Sequence, residues 1–397
     1  MSIQKIKITD SGDSFSFTGD ANAFINSLNR VMEVTGYVTK NDIGRFHIGV
    51  AYKGKFYLIG YSDETHCILE VPGFEAKKDG AVLLLEPDKL KSLFKKRGDI
   101  EFKYDGKLNY KAVKGRFSGD VSCGSLGADQ IPRIKRIIKT SSVKTDALCP
   151  RLLKAIRDGV RRTNISDPHM DKSLLSYIMY SKSKLIVSNA DPLHLAHYEE
   201  KVKTKAVENI KLALPANMFS IIDRFLDEED AAFSMSSSSF SVASDTFCVG
   251  FPPVQTQEEN FNLTKNYITA LGSKTLACSF TLDNAFKDAQ ESLKSLTDNG
   301  ERYTLTAKKK KVTLGVGSDF GKASDTFEVD DLKIKDKGDI SVRIDPKILN
   351  DLLPLIGNDP FPFELHKRNG SIKMYTMRAP LSEKSDDNFL ILIGSIS

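Results

Sequence analysis

Several stretches of this 397-residue chain carry residue types that do chemistry. The run Gly315-Val316-Gly317-Ser318-Asp319-Phe320-Gly321-Lys322-Ala323 has the glycines and the lysine of a phosphate-binding loop. Its spacing fails. Val316 stands where the first glycine belongs, and Ala323 stands where a hydroxyl would hold Mg²⁺. The run also leads into the alternating Thr326-Phe327-Glu328-Val329 rather than into a helix. His194 and His197, near Asp191, have ligand character, but a three-residue interval on a strand sends them to opposite faces. His66-Cys67 has no second base or orienting acid nearby, and Cys149 before Pro150 has no partner in view. Asp227-Glu228-Glu229-Asp230 reads as a polar helix end. No paired carboxylates or triad spacing emerge. We therefore expect no enzyme, no metal and no cofactor.

The other chemical signal is charge. Arg151, Lys154, Arg157, Arg161 and Arg162 fall on one helical stretch with a single acid, Asp158, and the three-residue intervals keep them near one face. That pattern suits sequence-blind contact with phosphates. The stretch from Pro87 adds Lys89, Lys91, Lys95, Lys96 and Arg97, and Arg133, Lys135, Arg136 and Lys139 follow. Arg30, Arg224, Lys287, Lys294 and Lys347 are more isolated, and Lys308 to Lys311 reads as a solvated turn.

Elements must position these groups, and composition bounds which. Hydrophobic residues at 40% and charged residues at 27% describe a globular chain, too long for one ordinary core. No apolar run approaches a membrane span. Met1 to Ile8 alternates like a first strand rather than a signal peptide. The five cysteines, Cys67, Cys123, Cys149, Cys248 and Cys278, are odd in number and lack a CxxC pair, which points to a reducing, cytoplasmic setting. A net charge of +5 permits nucleic-acid binding without demanding it.

The chain repeats itself. Leu83 to Leu93, Leu212 to Ile222 and Val342 to Leu352 each read strand, proline, helix, and Pro87, Pro215 and Pro346 stand 128 and 131 residues apart. Each is followed by an alternating hairpin, with turns at Asp105-Gly106, near Ser237 and at Asn369-Gly370. Earlier in each unit a second amphipathic helix is predicted: Asp20 to Gly36, Thr145 to Thr163 and Thr281 to Gly300. These lead to hairpins turning at Lys53-Gly54, Lys182-Ser183 and Lys309-Lys310. The expectation is α+β, with three tandem domains at 1–133, 134–262 and 263–397, each built from two strand-helix-strand-strand copies. Asp129 to Thr140 and Gln255 to Lys265 read as linkers.

This triplicated pattern resembles the bacterial-type DNA polymerase sliding clamp, a processivity factor. Local stretches fit as well: Leu214 to Pro253 with its Phe251-Pro252, Ser188 to Ala196, and the final strand Phe389 to Ile393. Pro192-Leu193 and the tail Gly394-Ser395-Ile396-Ser397 depart from the family pattern, as a divergent, phage-encoded version would. The resemblance implies a head-to-tail homodimer closing a six-domain ring, helices inside and sheets outside, around double-stranded DNA. It implies DNA polymerase and clamp loader as partners, without a membrane. DNA contact falls to Arg30, Lys89, Lys95, Lys96, Arg151, Lys154, Arg157, Arg161, Arg162, Arg224, Lys287 and Lys347. A partner-peptide groove falls to Leu175, Leu193, His194, Leu195, Pro252, Pro253, Leu390, Leu392 and Ile393. Strand alternation allows only one of the sets Leu390/Leu392 and Phe389/Ile391/Ile393 to line it. The other readings are a trimer or an open monomer of the same fold, a repeated-domain structural or scaffold protein without a DNA role, and an enzyme.

Overall fold

A computed structural model describes the whole chain except residues 1–2, 4–5, 9–13, 37–44, 63–64, 128, 141–149, 164–174, 191–193, 204–208, 216–217, 219–220, 223–224, 226–231, 237–238, 253, 255–274, 298–300, 319–320, 336–337, 347–348, 350–352, 354–359, 369–370, 381–388 and 396–397. The chain runs β1 (Phe15–Asp20), α1 (Ala21–Gly36), β2 (Arg45–Tyr52), β3 (Lys55–Ser62), β4 (Thr65–Lys77), β5 (Gly80–Leu84), α2 (Pro87–Phe94), β6 (Asp99–Tyr104), β7 (Leu108–Ala112), β8 (Ser118–Val121), β9 (Cys123–Gly124) and α3 (Gln130–Thr140). It continues through α4 (Pro150–Thr163), β10 (Leu175–Ser181), β11 (Lys184–Ala190), β12 (His194–Lys201), β13 (Asn209–Pro215), β14 (Ala232–Ser236), β15 (Ser239–Ala243) and β16 (Phe247–Phe251). The last part holds β17 (Leu276–Leu282), α5 (Asn284–Lys294), β18 (Tyr303–Lys308), β19 (Lys311–Ser318), β20 (Gly321–Glu328), β21 (Lys333–Ile334), β22 (Ile340–Ile344), β23 (Phe361–Arg368), β24 (Ser371–Pro380) and β25 (Phe389–Ser395).

The chain divides into two compact units, Met1–Pro150 with Ser220–Pro253, and Arg151–Phe219 with Val254–Ser397. Their boundary cuts through the span 134–262. The later part of that span joins the first unit because β16 pairs with β4, Val249 facing Cys67. The earlier part joins the second because β12 pairs with β25.

In the first unit the strands order β8-β7-β6-β1-β4-β3-β2-β5-β9, with β14 to β16 branching from β4. One face carries α1 and a cluster of aromatic rings. Phe17 stacks on Phe56 at 3.9 Å and on Phe102 at 4.8 Å, and Phe24 of α1 sits 5.4 Å from Phe102. Full burial of each such side chain contributes about 1.5–3 kcal/mol. Asp20 starts α1 by accepting the Ala23 N–H at 3.0 Å. The helix then seats closely on β3, where a Cβ at Gly60 would lie 2.4 Å from Val31 Cγ1. Thr35 Oγ1 reaches His47 Nε2 on β2 at 3.0 Å, both buried.

The opposite face of the same sheet presents Ile48, Val50, Tyr57, Ile59, Tyr61 and Ile68, and it is covered too. Ile134, Ile137 and Ile138 of α3 pack there with Ile3, Ile6 and Ile8. Two expectations change. Residues 130–140, read as a linker, form a helix, because Ile131, Ile134 and Ile138 recur at helical spacing and Pro132 falls in the first turn, where no N–H is needed. The N-terminal stretch is not a strand among its described residues. Ile6 and Ile8 alternate, but with Ile3 they pack onto the sheet face and do not extend its ladder, with Ile6 N–H bonding Ile3 O.

In the second unit a nine-stranded sheet orders β13-β10-β11-β12-β25-β24-β23-β17-β21, and a four-stranded sheet orders β20-β19-β18-β22. Leu152, Leu153, Ile156 and Val160 of α4 are buried. The helix comes close to β11 and β12, since a Cβ at Gly159 would lie 2.7 Å from Val187 Cγ2 and 2.8 Å from Tyr198 Cδ1. On α5, Asp283 caps the Ala285 N–H, Phe286 meets Phe327 edge-on at 5.7 Å, and Gln290 bonds the buried Tyr303 hydroxyl.

The predicted hairpins form. Lys53 and Gly54, Lys182 and Ser183, Lys309, and Gly106 all have positive φ, as tight turns between antiparallel strands require. The Asn369-Gly370 turn, the residues near Ser237 and the predicted linker at Gln255 to Lys265 lie outside the described residues in whole or in part.

Candidate nucleic-acid interface and partner groove

The basic signal concentrates on α4. At about 100° per residue, its buried residues and its charged residues fall on separate arcs. Arg151, Lys154 and Arg161 are exposed, and Arg157, Asp158 and Arg162 are half-exposed beside them. Together these six span about 140° of the circumference. The opposite arc is anchored on the sheet, so the cations are held by a rigid element. By residue type this arc carries five bases and one acid.

The other helices differ. On α2, Lys89 pairs with Glu86 and Lys91 pairs with Asp88 at 2.6 Å, so this helix largely neutralises itself. Lys95 and Lys96 lie beyond its last residue, Phe94, and are exposed. The predicted helix had continued through them, but the helix stops because Lys95 leaves the helical region with ψ 127°, and Lys96 then adopts φ +60°. Arg97 stacks over Phe117 at 4.0 Å. On α1, Arg30 is half-exposed over the Phe225 ring at 5.8 Å, lining a cavity of about 440 Å³ with Asn22, Asn26 and Glu70. Lys287 on α5 lies over Phe361 at 5.5 Å, and the exposed positions around it include Asp288 and Glu291, the latter paired to Lys294. Arg224 and Lys347 lie outside the described residues. Exposed Lys135, Arg136 and Lys139 of α3 lie on the sheet face opposite α1, a placement that sequence reasoning missed by reading the segment as a linker.

For the groove, register decides the faces. Across the nine-stranded sheet Tyr177 faces Ser188, Ser188 faces His197, and His197 faces Ile391. Leu175, Leu195 and Ile393 each stand two residues along from a member of that row, so they belong to the same face. Leu175 is half-buried and Leu195 is 7% exposed. Ile393 pairs with Leu195, whereas Leu392 pairs with Ala196 and Leu390 with Tyr198. Positions 390 and 392 thus belong to the other face, the one on which Tyr198 meets α4. His194 enters the sheet opposite Gly394. Leu193 and Pro253 lie outside the described residues, and Pro252 is half-buried in the first unit.

Sequence reasoning also missed a buried polar cluster on the Leu195 face. Ser188 Oγ lies 3.1 Å from His197 Nδ1, and His197 Nε2 lies 3.0 Å from Glu199 Oε1. Lys184 Nζ reaches Glu199 Oε2 at 2.6 Å. Burial works against ionisation of Glu199, but the hydrogen bonds from His197 and Lys184 outweigh it and hold the carboxyl below the usual range. On the α4 face, burial, reinforced by the hydrogen bond to Glu200, pushes the Tyr198 phenol up. His197 is therefore committed within the sheet rather than open to a metal.

The glycine-rich run is not a phosphate loop. Val316 pairs with Ala323 and Gly317 with Lys322 in the β19–β20 hairpin. Lys308, Lys310 and Lys311, around the neighbouring turn, pair with Asp339, Asp330 and Glu328. Among the described residues no helix is long and apolar enough to cross a membrane.

The sequence matches no protein-family model and none of the curated proteins. Solved structures do match. The DNA polymerase sliding clamp of Bacillus subtilis aligns with a TM-score of 0.73 at 14% identity, over 97% of this chain and 99% of that one. The DNA polymerase III beta chain of Streptococcus pneumoniae aligns with 0.70 at 16% identity, over 96% and 100%. The DNA polymerase III subunit beta of Pseudomonas aeruginosa aligns with 0.69 at 16% identity, over 96% and 99%. Along nearly its whole length, this chain has the fold of the bacterial DNA polymerase sliding clamps.

Proposed function

We propose that this protein is a DNA sliding clamp. It encircles duplex DNA without reading sequence and tethers a replicative DNA polymerase, delivered to DNA by a clamp loader. The observation that carries the reading is the basic arc of α4 on a chain with the sliding-clamp fold. Five cations on one anchored face supply diffuse attraction to phosphate, and topology rather than affinity does the holding. A scaffold protein without a DNA role has no use for such a face.

The ring reading carries the three-domain division at 133 and 262, closure of two copies head to tail, and work in the cytoplasm without catalysis. The partner groove lies on the face shared by Leu175, Leu195 and Ile393. A short peptide bearing a large apolar side chain fits such a strip.

The test is retention on DNA. Purified protein, loaded or incubated at high concentration, should stay on nicked circular duplex and run off the linear form of the same sequence. Equal loss from both would remove the encirclement.

A further inference from the structure

The outward face of the four-stranded sheet holds a basin of about 750 Å³ that the clamp reading does not use. Its floor follows from register. Thr304 of β18 lies between Arg343 of β22 and Gly315 of β19, and Gly315 lies opposite Ser324 of β20. One pleat further on, Gly317 lies opposite Lys322. The alternate positions Tyr303, Leu305, Leu314 and Val316 are buried, so this row faces outward. Glycine stands at two successive outward positions of β19, and no side chain fills the middle of the face. At Gly315 a Cβ would approach Ser324 Cβ to 3.3 Å.

Charge distinguishes the basin from the rest of the sheet. Lys308, Lys310 and Lys311 are each matched by a carboxylate. Lys322 and Arg343, which flank the glycine floor from the two outer strands, have no ion-pair partner among the described residues. Arg302 and Glu301 complete the rim, and both have interaction partners. The pair of unmatched cations therefore sets the sign of the basin, with hydroxyls from Thr304 and Ser324 beneath them. Among the described residues no aromatic ring lines it, so these residues offer no platform for a base.

We propose that this basin is a phosphoryl-anion site, in which Lys322 and Arg343 close over a phosphate group resting on the Gly315–Gly317 floor. The shared chemistry is a compact anion with several charges, accepting hydrogen bonds from a guanidinium, an ammonium and two hydroxyls. It has two sources, a free pyrophosphate-type anion and the terminal phosphate of a nucleic-acid strand.

Calorimetric titration of the full chain with pyrophosphate at low salt tests the first source. A 5′-phosphorylated oligonucleotide set against its unphosphorylated twin tests the second, in a background with Arg151, Lys154 and Arg161 changed to alanine. Binding by either arm is expected, at one site per chain, weakened about tenfold or more by Lys322→Ala or Arg343→Ala and abolished by the double change. Both positions are at the surface, and an unchanged melting temperature checks the fold. Absence of binding in both arms, equal affinity in the variants, or stronger binding of a polyglutamate peptide than of pyrophosphate overturns the proposal. Retention on circular DNA by the Lys322/Arg343 variant should be unchanged, so failure here leaves the clamp reading untouched.

Discussion

Ile393 stands directly opposite Leu195 in the antiparallel pairing of β25 with β12, and His197 stands opposite Ile391 on the same face. This register ties the C-terminal strand to the strand bearing the proposed groove. It also makes the groove testable at one residue. Leu175→Asp places a charge on the half-buried edge of that face. Loss of one apolar peptide anchor costs about 2 kcal/mol or more, roughly thirtyfold in affinity. Titration of a labelled polymerase-tail peptide should show that loss, with circular dichroism unchanged. Wild-type affinity in the folded variant would move the partner site elsewhere.

Deleting Leu392 to Ser397 is a harsher version of the same test. It removes the backbone rungs from Leu392 to Gly394 against β12 as well as any side-chain contact. Peptide binding should vanish and the melting temperature should fall. The point substitution should lose binding without the thermal loss. If the deletion melts like wild type, the β12–β25 pairing contributes little to stability.

Much of this architecture was legible in the sequence because it is local. Asp105-Gly106, Lys53-Gly54 and Lys182-Ser183 announce turns, and the backbone adopts positive φ at Gly106, Lys53, Gly54, Lys182 and Ser183. The apolar positions Phe24, Leu28 and Val31, and Leu152 and Ile156, recur at helical spacing and are buried. The pairings β16–β4 and β12–β25 were not legible, since residues such as Val249 and Cys67 meet across far more chain than any periodicity spans. α3 is a different case. Ile131, Ile134 and Ile138 carried the signal, but four interleaved basic residues disguised it as a polar connection. The groove was half legible. Alternation separated Leu392 from Ile393, and only register showed which of them pairs with Leu195.

Gly159 links helix packing to the basic arc proposed to face DNA. Alanine is intrinsically better than glycine inside a helix by about 1 kcal/mol. A Cβ here would lie 2.7 Å from Val187 Cγ2, and overpacking of that kind costs about 1–3 kcal/mol. The clash should win, so Gly159→Ala should lower the melting temperature. A stabilised variant would show that α4 can shift outward freely and that its seat on β11 and β12 is loose.

Glu199 gives a pH dependence with a defined sign. Its carboxyl is held lower in the folded chain than in the unfolded one, so the unfolded chain binds more protons in the acidic window. The stabilisation is complete above the ordinary carboxylate value of about 4.3 and is lost as pH falls through the depressed folded value. Glu199→Gln should therefore flatten the fall in stability below about pH 5 relative to wild type. Parallel curves for the two proteins, measured by urea unfolding across that range, would show that the contacts with His197 and Lys184 do not favour the ionised form.

Ring closure makes the last prediction, and the sheets supply candidates for its ends. β8 is the outer strand of the first unit's sheet, beside the tilted ring pair Tyr110 and Phe117, and β20 is the outer strand of the four-stranded sheet next to α5. Both strands are largely exposed and, among the described residues, have an unpaired outer edge, which natural proteins normally block or use. Val113, 54% exposed, adds an apolar contact near β8. Head-to-tail closure pairs unlike ends, β8 of one copy with β20 of the next. Proline placed in either edge, Asp120→Pro or Asp325→Pro, removes a donor and should break the contact. Sedimentation at micromolar concentration should show wild-type dimer and each variant as monomer. An equimolar mixture of the two variants should regain dimer, since each supplies the end the other lacks, but such a dimer has one contact and an open ring. It should therefore sediment as a pair yet fail to stay on circular DNA. If either variant alone dimerises like wild type, its altered edge takes no part in closure. If the mixture stays monomeric while both variants keep wild-type melting temperatures, the two edges do not meet.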